Sequence, residues 1–189
     1  MGYKVEVGIS NKHVHLSNED LAKLFGAGYK LTVKKGLKQP DQYAAEETVD
    51  ITGPKGTLKG VRVLGPTRKE SQIELAATDA RVIGLELPVR ESGVLDGTPG
   101  VKLTGPAGTA DLAKGAIIAL RHVHLSPAQA KEAGVKDKDW VKVKTFGSRP
   151  LIFENVLIRS GDAHTNEIHV DTDEGNAAGI KNGDFVEII

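Results

Sequence analysis

The chain of 189 residues lacks cysteine and has no surplus of charge of either sign. The missing cysteine excludes disulfides, a thiolate nucleophile and cysteine-ligated metal sites. Because Lys+Arg 25 balances Asp+Glu 25, the chain has no basic excess for binding nucleic acid or an anionic membrane. The longest apolar run, 115–120, is too short to span a bilayer, and the first residues contain no signal-peptide core. We therefore expect no nucleic-acid or membrane partner and a cytoplasmic location.

Glycine is abundant and aromatic residues are scarce: the chain has Gly 22 and Pro 8, with aromatics at 4%. Short segments rich in valine and isoleucine alternate with turn signals, and this pattern favours strands over helices. The predicted strands are Lys4–Ile9, Val49–Thr52, Gly60–Leu64, Gln72–Ala76, Val82–Leu87, Ile117–Leu120, Trp140–Thr145, Leu151–Ile158, Glu167–Asp171 and Phe185–Ile189. The sequence thus predicts a mainly β protein, in barrels or sandwiches, with few and short helices.

The pentapeptide His-Val-His-Leu-Ser occurs twice, at 13–17 and at 122–126. Each copy follows an apolar strand and precedes a helix whose N-cap is the final serine, with Asp20 or Gln129 three residues later. Gly26 and Gly134 are expected to end these helices. The similarity continues, since 49–66 resembles 140–161 and 72–85 resembles 167–180. We infer two related units, the first carrying an extra segment at about 26–46.

The histidines of each pair are two residues apart, so on a strand they point to one side while the valine between them points to the core. Glu74 and His169 occupy matching places in the later strand of each unit, between two apolar residues. We expect all six side chains to project away from the cores and to converge in a cleft where the units meet. The six are His13, His15 and Glu74 in one set, and His122, His124 and His169 in the other.

His₂Glu and His₃ are ligand sets of catalytic zinc, which leave a coordination position open, although iron or cobalt fits the same ligand types. A single His-x-His on a strand is more often a hydrogen-bonded surface pair than a metal site. Two copies at equivalent positions of a repeat favour metal. Glu74 considered alone reads as a solvated strand residue. His164 is expected to face solvent from a turn, yet it competes with His169 as the last ligand.

Charged turns flank both sets. Arg68 precedes Glu74 in the turn 65–70, where its guanidinium could bind a phosphate or carboxylate and Lys69 could add a point charge; both could equally be ordinary turn residues. The acidic segment 171–176 either orients the histidines through their second ring nitrogens or caps a helix. No glycine-rich phosphate loop is present.

Four segments resemble the PduL-type phosphotransacylases, the phosphate propanoyltransferase family. In chain order they are NKHVHLSNEDL, GPTRKESQIEL, RHVHLSPAQA and EIHVDTDEGNAAGI. The resemblance covers nearly the whole chain, from about Lys4 to Ile189. It implies a reversible acyl transfer between coenzyme A and inorganic phosphate, with acyl-CoA, phosphate and acyl phosphate as the small-molecule substrates.

The resemblance also implies two zinc ions (Zn2+). His13, His15 and Glu74 match the ligands of one ion, to which the sulfur of coenzyme A binds; His122, His124 and His169 match those of the other; and Arg68 matches the arginine that contacts phosphate. The implied fold is two similar small β-barrels with exchanged strands and short capping α-helices. Residues 1–11 and 120–189 would form the first barrel, and 12–119 the second, with 26–46 as an inserted lid. A homodimer is expected from the same resemblance.

Many members of the family carry an N-terminal extension that directs them into bacterial microcompartments. The first strand here begins at about residue 4, which favours a cytoplasmic enzyme over one in a microcompartment lumen and makes acetyl-CoA at least as plausible a substrate as propanoyl-CoA. Two alternatives remain open from the residues alone. One is a zinc-dependent hydrolase of acyl phosphates or thioesters, and the other is a non-catalytic barrel stabilised by metal.

Overall fold

A computed structural model describes residues 2–189. Within that range the chain is mainly β, with fifteen strands and four short helices. None of these helices has both the length and the apolar character needed to cross a membrane. The elements in chain order are β1 Tyr3–Ser10, β2 His13–His15, α1 Asn18–Phe25, β3 Val33–Gly36, β4 Tyr43–Thr52, β5 Thr57–Gly65, β6 Gln72–Glu74, α2 Ala77–Val82, β7 Val89–Arg90, β8 Lys102–Thr104, β9 Thr109–Asp111, β10 Ala116–Ala119, β11 His122–Leu125, α3 Pro127–Ala133, β12 Trp140–Lys144, β13 Ile152–Ser160, β14 Glu167–Asp171, α4 Thr172–Ala178 and β15 Phe185–Ile188.

The chain divides into two compact units. The terminal unit combines the segment that ends at Asn11 with Leu120–Ile189, and it also includes the tripeptide Lys38–Pro40. The central unit consists of Lys12–Leu37 and Asp41–Ala119. Each unit therefore has its own sheet and its own core.

The terminal unit is a closed barrel with strand order β1-β14-β11-β13-β12-β15. Closure leaves the barrel without an unpaired edge. Its core is made by the apolar residues that alternate along these strands, with α3 and α4 contributing Ala130 and Ala178. Val123, between the two histidines of β11, is fully buried in that core.

The central unit is a nine-stranded sheet that curls into a half-barrel, in the order β7-β10-β6-β2-β5-β4-β8-β9, with β3 paired to β4. Its core contains Val14 from β2, together with Leu21 and Leu24 from the apolar face of α1. The mainly β architecture that the sequence predicts is confirmed, although only the terminal sheet closes completely.

Both units contain the same arrangement of four strands. The first His-Val-His strand, β2, pairs in parallel with β5 and antiparallel with β6, and the second, β11, pairs in parallel with β13 and antiparallel with β14. A further strand runs parallel to the last of these: β10 beside β6, and β1 beside β14. The strand before each His-Val-His-Leu-Ser thus belongs to the opposite unit, so the exchange of strands is confirmed.

The helix starts and ends read from the repeat are also confirmed. The Ser17 hydroxyl accepts a hydrogen bond from the Asp20 amide, and Ser126 forms a capping box with Gln129. Gly26 and Gly134 follow the last helical residues. These caps satisfy amide groups that the first turn of a helix leaves without partners.

The strand predicted at Val82–Leu87 is wrong. Val82 ends α2, and the chain then turns through Gly84, whose φ of 77° lies in the left-handed region. A short apolar run such as Val-Ile-Gly-Leu has no periodicity that separates a helix end from a strand. The short strands β3, β7, β8 and β9 were not predicted either.

Candidate metal centres and their partners

Within the central unit, the structure brings His13, His15 and Glu74 together, and we call them the first triad. Strand register does this, because His13 lies directly opposite Glu74 across the β2–β6 pair. The distance from His13 Nε2 to Glu74 Oε2 is 3.4 Å, and that from His15 Nε2 to Glu74 Oε1 is 3.9 Å. All three donor atoms lie within 4.8 Å of one another.

The alternation along β2 places its residues as the spacing predicts. Val14 is fully buried in the apolar core, whereas His13 and His15 project from the other side of the strand. That side is not exposed, however, since the two histidines retain only 7% and 3% of their accessible surface. Buried polar rings require partners, and the Nε2 atom of each ring faces the Glu74 carboxylate.

Burial and neighbouring charge set the protonation states of His15 and Glu74 in the first triad. Burial lowers the pKa of His15 well below its usual value, and the charges of His13 and Arg68 lower it further. Burial alone would raise the pKa of the Glu74 carboxyl, but His13, His15 and Arg68 hold it well below its ordinary range. At neutral pH the triad therefore offers a neutral imidazole at His15 and an ionised carboxylate at Glu74.

Within the terminal unit, His122, His124 and His169 form the second triad. His122 and His124 come from β11, and His169 lies opposite His122 in β14. The Nε2 atoms of His122 and His124 are 3.0 Å apart, and the His169 ring centroid is 5.1 and 4.8 Å from theirs. The three donor atoms lie within 4.8 Å of one another.

Hydrogen bonds and burial determine which nitrogens of the second triad carry lone pairs. Nδ1 of His122 is 2.8 Å from the Leu120 carbonyl oxygen, which can only accept. Nδ1 therefore carries the proton of neutral His122, and its Nε2 carries a lone pair. Burial, followed by the charges of His122 and His169, lowers the pKa of His124 far below its usual value. His124 is thus neutral at physiological pH.

Both triads fit a divalent cation on the chemistry of their donors. Neutral imidazole nitrogens and an ionised carboxylate are the forms that bind metal, and buried imidazoles whose nitrogens face each other gain little without a shared partner. Ligands about 2.0–2.1 Å from zinc lie about 3.3 Å apart in a tetrahedral site, near the spacing of His122 and His124. His13, His15 and Glu74 could hold one ion, and His122, His124 and His169 another.

Arg68 is held next to the first triad. Its backbone amide donates to the Leu16 carbonyl, just beyond β2, and its guanidinium donates to the Ser92 hydroxyl over 3.2 Å. Ser92 in turn donates to Glu74 Oε1. The charge of Arg68 lowers the pKa of both His15 and Glu74. Lys69, by contrast, is exposed.

His164 is half-buried rather than solvent-facing as the sequence suggests. It lies in the turn before β14, and its Nδ1 is 3.0 Å from Nδ1 of His124. It therefore contacts a member of the second triad from outside that group and does not replace His169. The segment after His169 forms the start of α4, where Asp171 and Glu174 make a capping box.

Sequence reasoning missed three buried polar residues beside the triads. Gln72 and Glu167 each lie two residues before the third member of a triad and contact it: the Gln72 amide donates to Glu74, and Glu167 Oε2 is 2.8 Å from His169 Nε2. Gln39 donates to the same Glu167 oxygen over 2.8 Å. Burial would raise the pKa of Glu167, but His169, Gln39 and Lys38 hold it below its ordinary value. The repeat alignment itself could have singled out Gln72 and Glu167, whereas nothing local marks Gln39.

Comparison with known proteins identifies the family. The family model described as phosphate propanoyltransferase matches residues 6–181. A phosphate propanoyltransferase of Thermotoga maritima is 57% identical over 184 residues, which cover 97% of this chain and 88% of that protein. The one from Clostridioides difficile is 48% identical over 98% of this chain and 88% of its own length. The one from Salmonella typhimurium is 49% identical over 94% and 85%, respectively.

These relatives are named as acyltransferases, and they match this chain across both units and both His-Val-His-Leu-Ser copies. The resemblance found in the sequence is therefore confirmed: the chain belongs to the phosphate propanoyltransferase family of acyltransferase enzymes.

Proposed function

We propose that this enzyme reversibly transfers a short acyl group, acetyl or propanoyl, between coenzyme A and inorganic phosphate, and that it requires two Zn2+ ions held by the first and second triads. Its relatives are named for propanoyl transfer to phosphate. The observation that carries the proposal is the presence of a three-donor group at the same register position of each unit, made of imidazole and carboxylate side chains that suit a divalent cation.

In the direction that forms acyl-CoA, the sulfur of coenzyme A attacks the carbonyl carbon of acyl phosphate. A bond forms between this carbon and the sulfur, and the bond from the carbon to the oxygen that bridges to phosphorus breaks. Phosphate leaves with the electron pair of the broken bond. A bound divalent cation supplies Lewis acidity, which favours a thiolate and offsets negative charge on oxygen. Because the attacking thiolate comes from the substrate, the reaction needs no cysteine of the protein.

The side chains of the enzyme would hold and orient the reacting groups. Arg68 presents a guanidinium whose planar donors suit a phosphate, and Ser92 holds it beside the first triad. Direct transfer between the two bound substrates is expected, because the attacking sulfur and the departing phosphate both belong to the substrates. Parallel lines in double-reciprocal kinetics would contradict direct transfer and indicate a covalent acyl-enzyme.

The proposed function can be tested by measuring the consumption of acetyl phosphate that depends on coenzyme A. The rate is compared in untreated enzyme, in enzyme treated with a chelator, and after zinc is added back. We expect the chelator to abolish the reaction by removing the metal, and added zinc to restore it. Consumption of acetyl phosphate at a rate independent of coenzyme A and phosphate would instead indicate a hydrolase. An absence of turnover, together with a large loss of thermal stability on chelation, would indicate a structural metal. Comparing acetyl-, propanoyl- and butanoyl-CoA defines the acyl preference.

Two variants test the assigned residues. His13→Ala should lose one metal ion per chain together with activity. Arg68→Ala should keep both ions and raise the concentration of phosphate or acyl phosphate needed for half-maximal rate. An unchanged phosphate response would remove Arg68 from the site. The cytoplasmic location, the homodimer, the lid role of 26–46 and the joint action of both triads stay predictions.

A further inference from the structure

Glu167 is placed to control the orientation of His169. The two residues are neighbours on one face of β14, and Glu167 Oε2 is 2.8 Å from His169 Nε2. An ionised carboxylate can only accept a hydrogen bond. The contact therefore places the proton of neutral His169 on Nε2 and leaves the lone pair on Nδ1.

The Glu167 carboxylate is itself fixed from a distant part of the sequence. Gln39, 2% exposed, donates to Glu167 Oε2 over 2.8 Å and to the Thr165 carbonyl over 3.2 Å. The Thr165 amide donates back to Gln39 Oε1. This pair of backbone contacts leaves the Gln39 amide one orientation, in which a nitrogen faces Glu167.

Space for the carboxylate comes from a glycine. Gly8 lies opposite His169 in the β1–β14 pair. A Cβ atom at Gly8 would lie 2.7 Å from Glu167 Oε1, closer than real contacts allow, and at a tight 3.0 Å from His169 Cδ2. At the matching place in the central unit, Ile117 lies opposite Glu74. The absence of a side chain at Gly8 thus leaves room for the Glu167 carboxylate beside His169.

The central unit provides an independent example of the same arrangement with the opposite chemistry. Gln72, two residues before Glu74, donates its amide N–H to that carboxylate, and its own oxygen accepts from the Gly93 amide. A carboxylate member of a triad is thus supported by a donor, and an imidazole member by an acceptor. Each supporting residue matches the hydrogen-bonding character of the residue it contacts.

We propose that Glu167, held by Gln39, is a positioning residue that fixes the ring and the tautomer of His169, so that Nδ1 is the nitrogen available to a cation at the second triad. The inference deepens the proposed function and rests on it for the role of the cation. When a residue that contacts the second ring nitrogen of a metal-binding histidine is substituted, metal affinity typically falls about 10- to 100-fold.

Two measurements on Glu167→Gln test this. In metal-free wild-type protein at pH 8.5, where an ordinary imidazole is neutral, long-range proton–nitrogen NMR should show Nε2 of His169 protonated and Nδ1 unprotonated. In Glu167→Gln the amide can donate as well as accept, so this preference should weaken. Competition with a chromophoric chelator should show one of the two zinc ions bound about 10- to 100-fold more weakly, while the other keeps its affinity.

Matched controls separate positioning from general damage. Glu154→Gln makes the same change at an exposed ion pair of the same unit and should leave both measurements unchanged. Gly8→Ala should weaken the same zinc ion as Glu167→Gln, whereas Gly36→Ala, where a Cβ meets nothing within 4 Å, should not. Gln39→Ala should act in the same direction, but less strongly.

The proposal is overturned if wild-type His169 carries its proton on Nδ1. It is also overturned if Glu167→Gln keeps the wild-type tautomer and binds both ions within twofold of wild-type affinity. A wild-type chain that binds no zinc would refute the proposed function instead, and the tautomer measurement would still decide the role of Glu167.

Discussion

The two triads share one strand frame but differ at their third member. His13 lies opposite Glu74 and His122 lies opposite His169 in the same kind of antiparallel pair. The first triad includes a carboxylate, whereas the second consists of imidazoles. With a divalent cation bound, the first would carry about one positive charge and the second about two. One frame can thus produce two electrostatic environments through one residue and its partner.

The two triads also differ in the residue that supports the third member by a hydrogen bond. A residue two positions before the third member contacts it in both units, and loops far away in sequence fix that residue: Ser92 and Gly93 for Gln72, and Gln39 for Glu167. Third members and their partners should therefore be exchangeable only as pairs.

The largest effect is expected when the first triad is given the donor set of the second. In Glu74→His, the Gln72 amide N–H would face an imidazole, and the site would lose its negative charge. Coenzyme A-dependent consumption of acetyl phosphate should fall roughly 100-fold or more, and zinc content should drop from two ions toward one. Glu70→His changes an exposed carboxylate nearby and should be close to wild type; a Glu74→His rate within threefold of wild type would contradict the comparison.

Gln72→Glu places a glutamate, the residue type found at Glu167 in the terminal unit, next to Glu74 instead of next to a histidine. Two carboxylates would then share a buried site, and one must be protonated or unpaired. We expect a loss of about 1–3 kcal/mol in the free energy of unfolding of metal-free protein, measured with urea at pH 7. Gln129→Glu, in the capping box of α3, should cost less than about 0.5 kcal/mol. Equal losses for both variants would argue against a specific Gln72–Glu74 contact.

The two serine caps should differ in strength. The Ser17 hydroxyl accepts from the Asp20 amide and donates to the Asp20 carboxylate, which Ser71 also contacts. Ser126 shares its role with Gln129. Ser17→Ala should therefore cost about 1–2 kcal/mol and Ser126→Ala about 0.5–1 kcal/mol, as measured by chemical denaturation. The reverse order would show that the network around Asp20 contributes little.

The smallest effect is a difference in pH dependence between two aspartates at helix starts. Burial would raise the pKa of Asp20, but hydrogen bonds from Ser71 and Ser17 lower it overall. Its stabilisation is therefore present above its ordinary pKa and lost as the pH falls below about 4. Burial raises the pKa of Asp171, so acidification toward about pH 4 should favour the folded state there.

Metal-free Asp20→Asn and Asp171→Asn, unfolded in urea between pH 7 and pH 3, make these signs visible. The cost of Asp20→Asn relative to wild type should shrink with acidification, whereas that of Asp171→Asn should grow, each by no more than roughly 1 kcal/mol. Parallel pH profiles for the two variants would refute the assigned environments.

The sequence alone predicts much of the frame of the molecule. The repeated pentapeptide locates β2, β11 and two helix caps, and strand alternation places Val14 and Val123 in the cores, because these features depend on local spacing. It fails at Val82–Leu87, where an apolar run ends a helix instead of forming a strand.

The supporting residues of the triads were beyond local reasoning. Gln39 and Glu167 are separated by 128 positions in the sequence and meet only because the folded chain brings them together. The burial of the four paired histidines likewise depends on what covers their face of the sheet, which no strand pattern records. Such contacts decide hydrogen-bond partners and therefore tautomers, and they become visible only in three dimensions.

The exchange of β1 has a consequence for biosynthesis. This strand is synthesised well before its hydrogen-bonded neighbours β14 and β15, which follow much later in the chain. The final segment of the central unit ends at Ala119. This unit can therefore pair its strands while both edges of β1 still lack their partner strands. Nascent chains stalled before residue 167 should therefore expose β1 without its partner strands and aggregate more readily than chains that have reached Ile189.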